Sequence, residues 1–126
     1  MLRSGRAIGL ALLSALALRP AAAQEAQSFP ARAIHIVVPF PAGWPADIAA
    51  RLIGQKMSED WGAPVVVDNR PGANTIIGAQ AVARAAADGY TLLMVIDSTL
   101  TMNQYIYRTL PYDPLNDFAP ITPTVK

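Results

Sequence analysis

Few side chains in this sequence could do chemistry, and their spacing favours binding over catalysis. His35 is the only histidine, and there is no cysteine. A zinc site needs several ligands at short spacing, and a Ser-His-Asp triad needs a histidine beside a nucleophile. His35 instead lies within an apolar run, where we expect it to be packed or edge-facing. We therefore predict no catalytic residues, no metal site and no cofactor, and we predict that the chain is not an enzyme.

Three loops carry the remaining candidates for a site. Each loop follows an apolar run and precedes a segment with helical patterning: the first loop is 39–46, the second is 68–75 and the third is 97–99. Neither PAGWPAD nor NRPGANT ends in the Gly-Lys-Ser/Thr of a P-loop, and no G-x-G-x-x-G follows a strand. Taken singly, each loop is more simply explained as a structural connector.

Individual polar side chains in these loops allow two interpretations each. Asp47 falls in the first turn of a helix, where it complements the helix dipole, although the same turn could face a ligand. Arg70 could clamp a carboxylate, or it could pair with the neighbouring Asp68. Ser98 and Thr99 open a helix, so either could be its N-cap or could donate to a ligand oxygen. Residue type and spacing leave these alternatives open.

The elements that position the loops follow from the hydrophobic pattern. Residues 34–38 are apolar apart from His35, which is typical of a strand covered on both faces. Residues 46–60 place their apolar side chains on one helical face, and Gly62 and Pro64 end the helix. The pattern further predicts a strand at 65–67, a helix at 76–87 that Thr75 could cap, a strand at 90–96, a helix at about 100–108, and an extended tail at 110–126 that could end in a strand.

This alternation of strands and helices predicts a parallel sheet with right-handed crossovers. The strand-to-helix loops of such a sheet all emerge at one edge. Ligands bind beyond the carboxyl ends of the strands, beside helix N-termini whose free N–H groups favour an anion. The sequence therefore predicts one small-anion site built from the three loops.

The first 23 residues have the pattern of a secretory signal peptide. A basic start is followed by an apolar run at 7–18 and by small residues that place the cut after Ala23. The apolar run is far shorter than the roughly 20 residues that span a bilayer. Residues 24–33 are then a polar leader, and the chain is predicted to be periplasmic.

Charge argues against nucleic acid as a partner. Removing Arg3, Arg6 and Arg19 with the signal peptide leaves seven of the ten Lys and Arg residues against nine Asp and Glu, a net charge of −2. A nucleic-acid-binding domain usually carries a clear excess of basic residues. No nucleic-acid surface is therefore predicted.

A series of spaced motifs resembles a known family. The motifs, in order, are Phe29-Pro30, IHIVVPFPAG, Asp47 with Ala50-Arg51, PVVVDNRPGA, Gly78-Ala79, DGYTLL and LPYDPLNDFAPIT. Together they resemble the Bug family, the TctC-type periplasmic receptors of tripartite tricarboxylate transporters. The resemblance covers residues 29–125. It implies a type II periplasmic-binding-protein fold with two lobes, a small organic carboxylate as ligand, and transporter permease subunits as partners.

The resemblance also indicates which residues would contact a ligand. The positions that match the family's ligand loops are Phe40, Ala42, Gly43, Asp47, Gly72, Ala73, Ser98 and Thr99. Trp44 stands where the family usually has a second glycine, so we expect its indole to strain or occlude the first loop. Thr75 and Ile76 replace a common Gly-Asn-like pair.

Family members are roughly two to three times as long. Residues 34–126 are therefore interpreted as an incomplete N-terminal α/β lobe, with a mostly parallel sheet, flanking helices and an uncovered edge, and with the second lobe absent. A nonfunctional remnant, or a small interaction protein that keeps the fold without binding a ligand, is the alternative.

Overall fold

A computed structural model describes residues 28–124 of the chain. Its elements are β1 (Ile34–Val38), α1 (Pro45–Trp61), β2 (Val65–Asn69), α2 (Ile76–Ala83), β3 (Thr91–Leu93), α3 (Asp97–Thr101) and α4 (Asn103–Ile106). The predicted signal peptide lies outside the described residues. Within residues 28–124, no helix has the length and apolar character needed to cross a bilayer.

The three strands form one parallel sheet in the order β2-β1-β3. Val38, the last residue of β1, is paired with Asn69, the last residue of β2. On the other side of β1, Val37 is paired with Leu93, the last residue of β3. The predicted parallel α/β arrangement is confirmed, and all three strands end at nearly the same level.

Helices cover both faces of the central strand β1. Alternate residues of a strand point to opposite faces, so Ile36 and Val38 share one face and pack with Ala50 of α1. On the other side of the sheet, Ile76 and Ala79 of α2 form a second buried cluster. Burial of β1 on both faces explains its nearly unbroken apolar sequence.

Helix α1 matches its prediction within one residue at each end. Pro45 occupies the first turn, where its missing N–H is no loss. Gly62 ends the helix in the left-handed conformation, and its N–H donates to the Ser58 carbonyl at 3.0 Å. Gly54 lies against the sheet, where an added Cβ would come within 3.1 Å of the Val65 side chain.

The later elements are shorter than the sequence pattern predicts. Helix α2 ends at Ala83 instead of residue 87. Just after its last residue the chain forms a tighter turn, in which the Ala85 N–H donates to the carbonyl of Val82. Strand β3 has only three of the seven predicted residues. The predicted helix at 100–108 is replaced by α3 and α4, which are separated at Met102. This break allows the Asn103 side chain to turn inward, where tertiary hydrogen bonds hold it.

The tail forms no strand within residues 110–124, so the suggestion of a terminal strand fails there. Tyr112 is nonetheless buried against α2 and packs edge-on against Phe118, with ring centroids 5.6 Å apart. Asp113 closes a turn by accepting hydrogen bonds from the Leu115 N–H and from the Asn116 side chain. The tail is therefore fixed by side-chain contacts.

Among the described residues, 28–124, one apolar face of the sheet is incompletely covered. A cavity of about 450 Å³ opens on the α1 side beside β3. Its lining includes Ile53 and Met57 of α1, Leu92 of β3 and Ile121 of the tail.

Candidate functional site

The three loops meet at the carboxyl edge of the sheet. Beyond β2, the Arg70 N–H donates to the Val38 carbonyl at 2.8 Å, and beyond β3 the Met94 N–H donates to the Val37 carbonyl at 3.0 Å. Residues 97–99, predicted to be a loop, instead form the first turn of α3, so the third loop is the connection 94–96 that leads into this turn. Backbone pairing therefore holds the starts of the second and third loops beside the start of the first. The predicted convergence of the loops is confirmed.

Asp47 connects the first loop to the second. The residue is only 2% exposed, and both carboxylate oxygens accept hydrogen bonds. Oδ2 accepts from the Gly43 N–H at 2.8 Å and from Arg51 Nε at 3.1 Å. Oδ1 accepts from Asn69 Nδ2 at 2.9 Å and lies 3.1 Å from an Arg51 guanidinium nitrogen. Asn69 Nδ2 also donates to the Phe40 carbonyl at 3.1 Å, so one buried carboxylate ties two loops and a helix together.

These contacts keep Asp47 ionised. The hydrogen bond from Arg51 contributes most, followed by those from the Gly43 N–H and from Asn69, and together they lower the pKa of Asp47 from 3.8 to about 2. Burial opposes this shift but does not overcome it. Because protein donors bond both oxygens, the carboxylate has a structural role: it fixes the conformation of the first loop.

The second loop has an unusual backbone. Gly72 has a φ of 128°, and the next three residues, Ala73, Asn74 and Thr75, have φ values of 46°, 52° and 72°. Asparagine tolerates the left-handed region, whereas a β-branched threonine rarely adopts it. Each non-glycine residue held there costs about 1–3 kcal/mol, so the surrounding structure must impose the conformation.

A largely buried hydrogen-bond network holds this conformation. Asn74 Nδ2 donates to Asn103 Oδ1 at 2.7 Å, and Asn103 Nδ2 donates back to the Asn74 carbonyl at 3.0 Å. The hydroxyls of Thr75 and Thr99 are 2.8 Å apart. The Tyr112 hydroxyl donates to the Thr99 carbonyl at 2.6 Å and lies 3.3 Å from Asn103 Nδ2. We call these five residues the threonine–asparagine network; it connects the second loop to α3, α4 and the tail.

The first loop carries an aromatic pair. Phe40 is half-buried, and the Trp44 ring stacks on it with centroids 5.9 Å apart and planes 12° apart. Trp44 has a φ of −72°, while Gly43 before it takes the left-handed conformation with a φ of 86°. The expected strain at Trp44 is therefore wrong, because glycine occupies the one position that needs a positive φ.

The eight predicted ligand residues all lie in or beside these loops, but they differ in exposure. Four are exposed, two are half-buried and two are buried; in that order they are Ala42, Gly43, Gly72 and Ala73, then Phe40 and Ser98, then Asp47 and Thr99. Both buried side chains are engaged by protein groups. Their contact with a ligand stays a prediction.

The structure bears on two alternatives that the sequence left open: the partner of Asp68 and the N-cap of the third predicted helix. Asp68 lies with a carboxylate oxygen 3.2 Å from His35 Nδ1, which gives it a partner other than Arg70. Arg70 itself is exposed in the second loop. Neither Ser98 nor Thr99 is the N-cap of α3, since Ile96 holds that position without a side-chain bond.

Three important residues were missed or misjudged from the sequence. Arg51 was not singled out as a partner of Asp47, although its i,i+4 spacing from Asp47 is a signal for an ion pair. Asn74 and Tyr112 were not singled out, and hydrogen bonds in their network join residues up to 29 positions apart in sequence. Within residues 28–124, no group of three or more His, Cys, Asp or Glu side chains could hold a metal ion.

The fold and the loop edge define the class, and comparison with known proteins defines the family. The model of the tripartite tricarboxylate transporter family receptor, TctC, matches residues 49–126. A UPF0065 protein of Bordetella bronchiseptica is 47% identical over 110 residues, which cover 87% of this chain and 32% of that protein. The chain belongs to the TctC family, whose members are periplasmic solute-binding receptors and not enzymes.

Solved structures agree with this assignment. The periplasmic binding protein BugD matches with a TM-score of 0.68 and 39% identity, covering 74% of this chain and 31% of that one. An R. palustris protein solved with adipate, Rpa4515, matches with a TM-score of 0.66 and 41% identity, covering 69% of this chain and 29% of that one. This chain thus spans about a third of the length of the proteins it matches.

Proposed function

We propose that the chain provides the ligand-capturing loops of a periplasmic receptor for a small organic carboxylate. The receptor would deliver this ligand to the permease subunits of a tripartite tricarboxylate-type transporter. Residues 1–23 would direct export, and residues 34–126 would form part of one lobe. The observation that carries the proposal is the convergence of three strand-to-helix loops, fixed by two buried polar networks at the carboxyl edge of one sheet.

The arrangement suits recognition of an anion by backbone groups. Helices α1, α2 and α3 begin beside this edge, and the first N–H groups of a helix have no partner within it. Arg51 is engaged by Asp47 and Asn69, so a charge clamp from Arg51 is not the basis of the proposal. Rigid loops favour affinity because a ligand need not order them when it binds.

The comparisons support the ligand class. One related structure contains adipate, a small dicarboxylate. The family to which this chain belongs consists of receptors of a carboxylate transport system. A small carboxylate is therefore the first ligand class to test on this chain.

The test is a nuclear magnetic resonance titration of the purified chain with adipate, using the uncharged diamide of adipate as the control ligand. We expect adipate to shift the amide signals of the three loops, with smaller changes in the β1 interior. The diamide should produce much weaker shifts, because the N–H groups at helix starts favour negative charge. Equal responses to the two compounds, or no response from a panel of small carboxylates, would contradict the proposal.

A further inference from the structure

Trp44 is a large aromatic residue at the carboxyl edge that is exposed although its backbone is fixed. Its side chain is 55% exposed, yet its backbone is the N-cap of a 17-residue helix. The Trp44 N–H donates to the Pro41 carbonyl at 3.3 Å, and its carbonyl accepts from the Ile48 N–H at 3.0 Å. These bonds hold the backbone while the indole extends toward solvent.

The indole is also oriented. Phe40 packs against one side of it at a nearly parallel angle of 12°. Aromatic rings favour offset-stacked contacts at centroid distances of about 4.5–7 Å, and the observed 5.9 Å falls within this range. The contact with Phe40 leaves much of the other side of the indole open to solvent.

The neighbouring backbone is fixed as well. Asp47 holds the Gly43 N–H immediately before Trp44, and Asn69 holds the Phe40 carbonyl. Both aromatic residues are therefore attached to a loop that a buried carboxylate orders. Such a pair forms a preorganised flat surface beside the predicted contacts Ala42 and Gly43, and it need not lose rotamer freedom when a flat molecule binds.

We propose that Trp44, supported by Phe40, is a specificity-determining residue that selects carboxylates carrying an aromatic ring. This inference rests on the proposed function, which supplies the carboxylate, and it adds a contact for the rest of the ligand. The ring of the ligand stacks on the open side of the indole. An aliphatic carboxylate of the same size gains the burial of apolar surface but not the stacking contact.

The test compares benzoate with cyclohexanecarboxylate, which have the same charge and nearly the same size. We expect benzoate to bind the purified chain roughly three- to tenfold more tightly, the range that aromatic stacking contributes beyond burial. Affinities are measured by calorimetry, with adipate as a third ligand. Trp44→Ala should abolish the preference by weakening benzoate, and Trp44→Phe should retain part of it.

The chain supplies its own matched control. Trp61 is the only other tryptophan, is 47% exposed, and lies at the opposite end of α1, about 25 Å away at a rise of 1.5 Å per residue. Trp61→Phe should leave the benzoate preference unchanged. The same variant leaves Trp44 as the sole tryptophan. Benzoate should then change the tryptophan fluorescence more than cyclohexanecarboxylate does.

The outcomes separate the two proposals. Equal affinities for benzoate and cyclohexanecarboxylate, or a preference that survives Trp44→Ala, would overturn the role of Trp44 while leaving carboxylate capture intact. Binding of adipate without binding of either ring compound would do the same. Failure of all three ligands to bind would overturn both the ring selectivity and the proposed function.

Discussion

Gly78 of α2 is buried tightly against the first two loops, which makes it a sharp test of the packing. A Cβ added at this position would lie 2.7 Å from Pro39 Cβ, 3.1 Å from Pro39 Cα and 3.1 Å from the Arg70 carbonyl oxygen. Two of these atoms are backbone and the third belongs to a proline ring, so they cannot rotate away. Gly78→Ala must therefore separate α2 from the first two loops.

The magnitude follows from two opposing effects. Overpacking a tight contact costs about 1–3 kcal/mol, while replacing glycine by alanine within a helix contributes about 1 kcal/mol in the other direction. Because the clash involves backbone on two loops, we expect the upper part of that range and a net loss of about 1–2 kcal/mol. For a domain of this size this corresponds to a fall in melting temperature of roughly 5–15 °C.

Gly54 of α1 is the matched control. An alanine Cβ there would meet Val65 Cγ1 at 3.1 Å and Ile36 Cδ1 at 3.5 Å, both of which are ends of side chains that can adjust. We expect Gly54→Ala to change the free energy of unfolding by less than about 1 kcal/mol, since the gain in helix propensity offsets a soft contact. Urea unfolding followed by circular dichroism measures both variants. If Gly78→Ala were as stable as Gly54→Ala, the described packing of α2 on the loops would be wrong.

Two further predictions concern the buried polar networks. Tyr112→Phe removes the hydroxyl that bonds the Thr99 carbonyl and Asn103. It should lower the free energy of unfolding, measured in urea, by about 1–2 kcal/mol and should speed amide hydrogen exchange at residues 73–76. Unchanged exchange at these residues would contradict the network's role in holding the second loop. Asp47 has its pKa lowered from 3.8 to about 2, so its ionised contacts stabilise the fold above pH 4 and are lost as pH falls toward 2. Asp47→Asn should therefore reduce the dependence of stability on pH within that window, measured by unfolding at pH 2–6, and an unchanged dependence would refute this assignment.

The order and type of the early elements could be predicted because their signals are local. The β1 run is apolar on both faces, and α1 carries a helical apolar stripe that ends in Gly62. These features depend on residues within a few positions of each other. The predicted helix at 100–108 is divided at Met102, beside Asn103, whose side chain bonds Asn74 and Tyr112, a tertiary effect that local propensity does not contain.

The candidate site divides in the same way. The loops themselves, and their meeting at one edge, follow from the alternation of strands and helices. The side-chain roles within the loops do not. Thr75 has the residue type of an N-cap, but it adopts a left-handed backbone and directs its hydroxyl to Thr99. Asp47 has the position of a dipole partner, yet it holds Gly43 and Asn69.

The amino-acid sequence by itself determined the parallel α/β class and the loops that form the candidate site. Periodicity and residue type are sufficient for these because they depend on neighbouring positions. Only the tertiary structure decided that the Asp47 carboxylate is buried and bonded by protein groups. It also decided that the indole of Trp44 stacks on Phe40 and remains exposed. Those outcomes depend on which distant groups reach a buried oxygen or cover a ring, and packing between separate elements sets them.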